Sequence, residues 1–288
     1  MKTLVLGCNG QLGQALVATA LDAYEFIGLD LPELDITNSE ALLALVREVG
    51  PDVIINAAAY TAVDQAESDV ELAAAVNVEG PRNVAVAARA IGARLLHVST
   101  DFVFDGEAST PYKADATANP LSVYGRTKQE GEQVVLESMP NTAVVVRTAW
   151  LYSKTGGNFV KTMLRLMGER DELSVIADQV GTPTWADSLA TAVWAFAAAP
   201  ENNGIFHWTD GGQCNWHDFA VAIQEEALSL GLLDQKIPIR PITSKDYPTA
   251  AARPRYSVLD CSSTCAALDL QQAEWRANLN RMLKGMTT

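Results

Sequence analysis

The sequence predicts an α/β fold of the doubly wound kind: a parallel sheet with helices on both faces, accompanied by a smaller α/β lobe. Three observations predict it. Short, continuous apolar runs alternate with segments of helical period, the pattern of strands buried on both faces. The first run, Leu4-Val-Leu6, passes through Gly7-Cys-Asn-Gly10-Gln-Leu-Gly13 directly into the helical pattern Gln14-Ala-Leu-Val-Ala-Thr-Ala-Leu21. The second run, Phe26-Ile-Gly-Leu29, ends in Asp30, about twenty residues beyond the glycine loop.

Taken in order, the predicted strands are 4–6, 26–29, 53–55, 95–98 and 142–146, and the predicted helices between them are 11–21, 39–49, 69–91 and 122–138. Each strand is a run of Val, Ile, Leu or Phe too short for a helix, and each helix repeats its apolar residues at three and four positions. The carboxyl ends of such strands form the ligand crevice of this architecture. Asn56-Ala-Ala-Ala59, Thr100 and Thr148-Ala-Trp150 all fall at those ends. The remaining third is less regular, helical over 158–168, 187–199 and 216–230, with turn signals at Asn202-Asn-Gly204 and Asp210-Gly-Gly212. The expected division is a dinucleotide-binding domain over 1–150 and a smaller lobe over 151–288, with segments of the lobe packing back onto the sheet.

Strand, glycine-rich turn and helix together are the context a phosphate-binding loop requires. One glycine permits the tight turn, another lets the backbone approach a pyrophosphate, and the last allows close helix–strand packing. The helix N-terminus offers free N–H groups and partial positive charge to the phosphates. Asp30 is placed to accept hydrogen bonds from an adenosine ribose. The spacing G-x-x-G-x-x-G alone is a weak signal; its surroundings make it informative.

A second constellation is Tyr124-Gly-Arg-Thr-Lys128, with Thr100 at the end of the apolar run Leu95-Leu-His-Val98. Residues four apart share a helix face. An ammonium there is expected to lower the phenol pKa toward working pH, so that Tyr124 can protonate an oxygen as charge develops on it. Thr100 is the second donor to that oxygen, and Ser99 is the alternative hydroxyl. The plain reading of Tyr124 and Lys128 is an exposed helical pair contributing a few tenths of a kcal/mol.

Bulk properties fit a globular enzyme. The 288 residues are 48% hydrophobic, enough for a sizeable core. No apolar run approaches about eighteen residues, so no membrane span is expected, and the N-terminal segment is needed as a strand rather than as a signal peptide. The formal charge of −14 argues against general nucleic-acid binding. Cys8, Cys214, Cys261 and Cys265 form no C-x-x-C framework, which reads as reduced thiols in a cytoplasm, and the 3 histidines show no metal-ligand spacing. No metal site is expected.

The ordered blocks Gly7-Cys-Asn-Gly-Gln-Leu-Gly13, Leu34-Asp-Ile-Thr37, Asn56-Ala-Ala-Ala-Tyr-Thr-Ala-Val-Asp64, Ser99-Thr-Asp-Phe-Val-Phe-Asp-Gly106, Pro120-Leu-Ser-Val-Tyr-Gly-Arg-Thr-Lys128, Arg147-Thr-Ala-Trp150, Asn158-Phe-Val-Lys-Thr-Met163, Asp178-Gln-Val-Gly-Thr-Pro-Thr184 and Arg253-Pro-Arg-Tyr-Ser257 span almost the whole chain. Together they resemble the extended short-chain dehydrogenase/reductases and, within them, the dTDP-4-dehydrorhamnose reductases. The resemblance implies a Rossmann-type domain with a substrate-binding lobe, and NADH or NADPH as cofactor. It implies reduction of the C4 ketone of dTDP-4-dehydro-L-rhamnose to dTDP-L-rhamnose, a cell-envelope sugar precursor.

The roles it implies are these. Tyr124 is the general acid, Lys128 its partner and a donor to the nicotinamide ribose, and Thr100 the second donor, with Asp101 at the substrate. Cofactor contacts fall on Gly7, Gly10, Gln11, Leu12, Gly13, Asp30, Asp35 and Ile36, and on the small or polar stretch Ala57, Ala58, Ala59, Tyr60 and Thr61, besides Tyr124 and Lys128. Substrate contacts fall on Val63, Thr100, Asp101, Tyr124, on Trp150 against the sugar ring, and on Arg253 against the diphosphate. Trp185, Trp194, Trp208 and Trp216 read as packing; Arg255, Lys161 and Arg165 are weaker candidates for the diphosphate and read better as solvated surface charges. Asp30, with no Arg or Lys over 31–46, points to tolerance of NADH.

Two rival readings share most of these residues: another nucleotide-sugar epimerase or reductase of the extended family, and a non-catalytic regulatory subunit. Some family members dimerise through a magnesium ion held partly by a glutamate in the first helix. Gly13-Gln-Ala-Leu16 has no carboxylate, so a monomer is favoured. The preceding epimerase of the pathway is the partner to look for.

Overall fold

Each of the five apolar runs forms a strand of one parallel sheet, and a sixth strand joins from the C-terminal third. The structure is a computed structural model that describes residues 1–20 and 25–287. The strands are β1 (Lys2–Leu6), β2 (Glu25–Leu29), β3 (Val53–Asn56), β4 (Arg94–Thr100), β5 (Ala143–Thr148) and β6 (Gly204–His207), in the order β6-β5-β4-β3-β1-β2. The chain goes from β1 to β2 on one side and then crosses to β3 on the other. That reversal opens a crevice beyond the carboxyl ends of β1 and β3. The register sets Leu6 beside Asn56 and Thr100 beside Thr148, so the polar ends of the strands lie level along one rim.

The longer helices are α1 (Gln11–Thr19), α2 (Ser39–Val49), α3 (Gly80–Ile91), α4 (Val123–Ser138), α5 (Phe159–Glu169), α6 (Ala186–Ala198), α7 (Trp216–Ser229) and α8 (Trp275–Lys284). The predicted end of the first helix at Leu21 lies outside the described residues. Local chemistry sets other ends: the Asn38 side chain accepts from Ala41 N at 3.1 Å to start α2, and Gly50, at φ 58°, ends it in the left-handed conformation. On one sheet face, Leu12 and Leu16 of α1 pack with Leu189 and Val193 of α6 over Val5 and Ile55. On the other, Leu42, Val46, Val84, Ala88 and Val135 cover Leu4, Ile54 and Val145. A third apolar cluster joins α5, α7 and α8 around Tyr152, Phe219 and Leu283. Among the described residues no helix is long and apolar enough to cross a membrane.

Two features depart from the sequence expectation. The single helix expected over 69–91 is Val70–Ala74, a π-helical turn Ala75–Glu79, and then α3. The turn at Asn202-Asn-Gly204 does not stand alone: it leads straight into β6, which pairs in parallel with β5 from Gly204↔Val144 to His207↔Arg147. With α6 against α1, the C-terminal third thus contributes both a strand and a covering helix to the sheet.

Candidate active site

The glycine loop is folded so tightly that neither Gly7 nor Gly13 has room for a side chain. Gly7 has φ 81°, and a Cβ there would stand 2.6 Å from Ala58 N; one on Gly13 would stand 2.2 Å from Gly7 O. Gly7 N and Cys8 N both donate to Leu29 O, tying the loop to the end of β2. Gly10 differs: its φ of −69° suits any residue, and a Cβ would meet only Gly7 O at 3.3 Å. It caps α1 without a side-chain hydrogen bond, which leaves the first N–H groups of the helix turned to the crevice for an anion. A cradle that a Cβ at Gly10 would fill, with donors behind it, fits a dinucleotide pyrophosphate.

At the end of β2, Asp30 Oδ2 accepts from Asn9 N at 2.9 Å and Oδ1 from Leu31 N at 2.8 Å. At the end of β3, buried Asn56 holds the Ala57–Ala58 turn by accepting from Ala58 N at 3.2 Å. The small side chains that follow leave the crevice wall close to the backbone. Tyr60 is turned the other way: its phenol donates to Asp69 at 2.9 Å, and its backbone pairs with the Asn77 amide.

The π-helical turn accounts for Asn77. It projects a buried amide between the Tyr60 backbone and Thr127 of α4, whose Oγ1 accepts at 3.2 Å. The carbonyl of Asn77 sits where a Cβ on Gly131 would be 2.2 Å away, so α4 fits against the turn only through that glycine. Asn77 was missed in the sequence; its one signal is a polar residue inside an apolar helical stretch.

Helix α4 starts where Ser122 Oγ accepts from Gly125 N at 3.1 Å and Glu67 Oε1 accepts from Val123 N at 2.8 Å. Gly125 lets the first turn lie on the loop after β4, with a Cβ position 2.2 Å from Phe102 O. Tyr124 is therefore buried, with the Phe102 ring edge-on at 5.5 Å. Burial pushes its phenol up to about 12, against a hydrogen bond with Thr100 and with the charge of Asp101. This corrects the expectation that Lys128 lowers that pKa. Lys128, one turn on and 2% exposed, donates from Nζ to Val98 O at 2.7 Å. Burial lowers the ammonium to about 8, opposed by Glu132. Thr100 Oγ1 donates to Asp101 Oδ1 at 3.1 Å and accepts from Phe102 N at 3.2 Å. Burial raises Asp101 to about 6 against hydrogen bonds with Ser257 and Thr100. Ser99 also borders the crevice, but its hydroxyl has no partner.

Across from α4, Trp150 sits at φ 45°, a left-handed conformation costing a bulky residue about 1–3 kcal/mol. Its indole stacks on Trp216 with centroids 3.6 Å apart and planes at 11°, and it leaves Gly181 no space for a Cβ. Trp216, read in the sequence as packing, lines the crevice beside Trp150. Trp194 and Trp208 are buried and donate to Leu16 O and Ser188 Oγ.

Apart from Tyr60 and Arg253, every residue singled out in the sequence for cofactor, substrate or chemistry lines one crevice of about 600 Å³. Glycine loop, Asp30, Thr100, Tyr124, Lys128 and Trp150 thus face a common space. Arg253 lies beyond its lining, with its guanidinium fork on Asp64 at 3.0 and 2.6 Å. The arrangement has an anion cradle at one end, two hydroxyl donors and an ammonium in the middle, and an aromatic pair at the other.

The chain is similar to known proteins over its whole length. Residues 1–288 match the family model of the RmlD substrate binding domain. A dTDP-4-dehydrorhamnose reductase of Aggregatibacter actinomycetemcomitans is 42% identical, with 98% of each chain covered. Among solved structures, the dTDP-4-dehydrorhamnose reductase of Clostridium acetobutylicum superposes with TM-score 0.94 at 41% identity over 100% of both chains. That of Bacillus anthracis, solved in complex with NADP, gives TM-score 0.94 at 38% identity over 100% of this chain and 99% of its own.

Proposed function

Because the chain belongs to the RmlD substrate binding domain family, we propose that it is an NADPH- or NADH-dependent dTDP-4-dehydrorhamnose reductase. The observation that carries this reading is the convergence of the glycine cradle with Thr100, Tyr124 and Lys128 in one crevice. A reduced nicotinamide cofactor, when bound, supplies the hydride for the ketone carbon. The residues here hold the ketone oxygen and move the proton.

Tyr124 donates its phenolic proton to the C4 oxygen of the sugar as negative charge develops there. A phenol near 12 stays protonated at every working pH, which suits a donor in the reducing direction. Thr100 gives the same oxygen a second hydrogen bond by turning its one hydroxyl proton away from Asp101 Oδ1, while Phe102 N, donating to Oγ1, keeps the hydroxyl in place. Lys128 keeps two N–H groups beyond the one given to Val98 O. These hold the nicotinamide ribose. Gly10, Gln11, Leu12 and Gly13 receive the pyrophosphate, and Asp30, Asp35 and Ile36 surround the adenosine. Val63, Asp101 and Trp150 bound the sugar. The division into a cofactor domain over 1–150 and a substrate lobe over 151–288 follows the same reading.

The test is oxidation of NADPH and of NADH with dTDP-4-dehydro-L-rhamnose generated in situ, with the product identified by chromatography. Stoichiometric dTDP-L-rhamnose is the expected result. Cofactor binding without turnover of this ketone would move the assignment to another keto sugar.

A further inference from the structure

Resting on that reading, we propose that Asp64 is a positioning residue for the nucleotide sugar: its carboxylate latches Arg253, and with it residues 247–257, against the substrate side of the crevice. One carboxylate receives three hydrogen bonds from this distant segment. Arg253 Nη1 and Nη2 donate to its two oxygens at 3.0 and 2.6 Å, and Ala251 N donates to Oδ1 at 3.0 Å. The segment is folded around the contact, since Arg253 Nη1 and Thr249 Oγ1 both donate to Ala251 O at 3.0 Å. A bidentate fork is directional in a way that a single surface ion pair is not.

Placement gives the latch its function. Asp64 follows Val63, which lines the crevice. At the far end of the segment, Ser257 N donates to Val180 O at 2.8 Å, beside Gly181 against which the lining residue Trp150 packs. Between the two anchors, Pro254 and Arg255 press on Gly106, where a Cβ would stand 2.6 Å from Arg255 N. The segment therefore runs from the loop after β3 to the loop after β4 and borders the substrate end. Because the Arg253 fork is committed to Asp64, a diphosphate cannot take the same N–H groups without breaking the latch. Arg253 thus serves substrate by fixing this border, with Nε–H and one Nη2–H left outside the latch. The cap on α4 is separate, from Glu67 to Val123 N, so opening the latch leaves the start of the Tyr124 helix held.

The test uses the full-length Asp64→Asn and Asp64→Glu variants. Asparagine keeps the size but loses the charge and one acceptor; glutamate keeps the fork. In Asp64→Asn, KM for the nucleotide sugar should rise by about tenfold or more while kcat changes less and NADPH affinity stays within about twofold, with Asp64→Glu partly restoring KM. Tryptic cutting after Arg255 should quicken in Asp64→Asn alone, reporting the opened population of the segment; Arg253–Pro254 resists trypsin. An unchanged KM, a loss confined to kcat, or unchanged cutting would each overturn the latch. NADPH binding shows that each variant is folded. The cutting needs no substrate, so it judges the latch even if wild-type protein reduces a different ketone and the proposed function fails.

Discussion

Glu132 Oε2 lies 2.6 Å from Arg147 Nη2, with both side chains only 3% exposed. The pair is bidentate, Arg147 Nε reaching Glu132 Oε1 at 2.8 Å, and the guanidinium lies 5.1 Å from the centre of the Phe104 ring. It joins α4 to β5 one helical turn beyond Lys128. Removing one partner strands the other as a buried charge. Glu132→Ala should therefore lower the free energy of unfolding by about 3–5 kcal/mol in urea titrations. A loss below about 1 kcal/mol would show that the site admits water.

Tyr124→Phe removes the phenolic proton and little else, since ring packing on Phe102 survives. The rate of ketone reduction should fall by about 10²–10⁴-fold. Fluorescence titration should find NADPH binding nearly unchanged. Retention of turnover would take the general-acid role away from this residue.

The basic limb of the pH profile should belong to Lys128 and not to Tyr124. The free enzyme holds Lys128 near 8 and Tyr124 near 12. The ammonium is needed charged, so kcat/KM should be full below pH 8 and decline as pH rises through it. Stability runs the opposite way: with the folded pKa below the unfolded one, the unfolded chain binds more protons between about 8 and 10.4, and this group's burial cost is relieved as pH rises. A limb appearing only above pH 10 would contradict the assignment.

Gly10→Ala separates cofactor binding from folding. The backbone there needs no glycine, and the only near contact of the added Cβ is Gly7 O at 3.3 Å. Thermal melting should stay close to wild type while Kd for NADPH rises by about tenfold or more. Gly13→Ala, with a clash at 2.2 Å, should lower the melting temperature as well.

Asp30 bears on cofactor choice. Its carboxylate, fixed by Asn9 N and Leu31 N, would face a 2′-phosphate. Wild type should use NADH with kcat/KM within about a hundredfold of NADPH, and Asp30→Ser should shift the ratio toward NADPH by about tenfold. A hundredfold or greater wild-type preference for NADPH would reverse this reading of Asp30.

Much of this architecture is legible in the sequence because the signals are local. Val53-Ile-Ile55 and Thr142-Ala-Val-Val-Val146 read as buried strands from composition alone, and glycine spacing before a helix marks the cradle. What stays hidden depends on distant partners. Gly204-Ile-Phe-His207 has neither length nor alternation to mark it as a strand; only the open edge of β5 makes it one. Asn77 looks like a helix interruption until Tyr60 and Thr127 are seen on either side. Trp216 differs from the packed tryptophans only through its stacking on Trp150, 66 residues earlier in sequence. The Tyr124 pKa was misjudged because spacing reveals a nearby ammonium but not the depth of burial, and here burial dominates.

The sixth strand also constrains how the chain is made. On the ribosome, β5 emerges with one edge unpaired, and its partner β6 follows only after the intervening helices have been synthesised. At ordinary translation speeds that edge waits on the order of seconds, open to pairing with other nascent chains. A fragment ending at residue 150 makes the wait permanent, lacking both β6 and the α6 cover over α1. The N-terminal sheet is thus a debt that the growing polypeptide settles late, and expression at lower temperature or with holdase chaperones should favour its recovery.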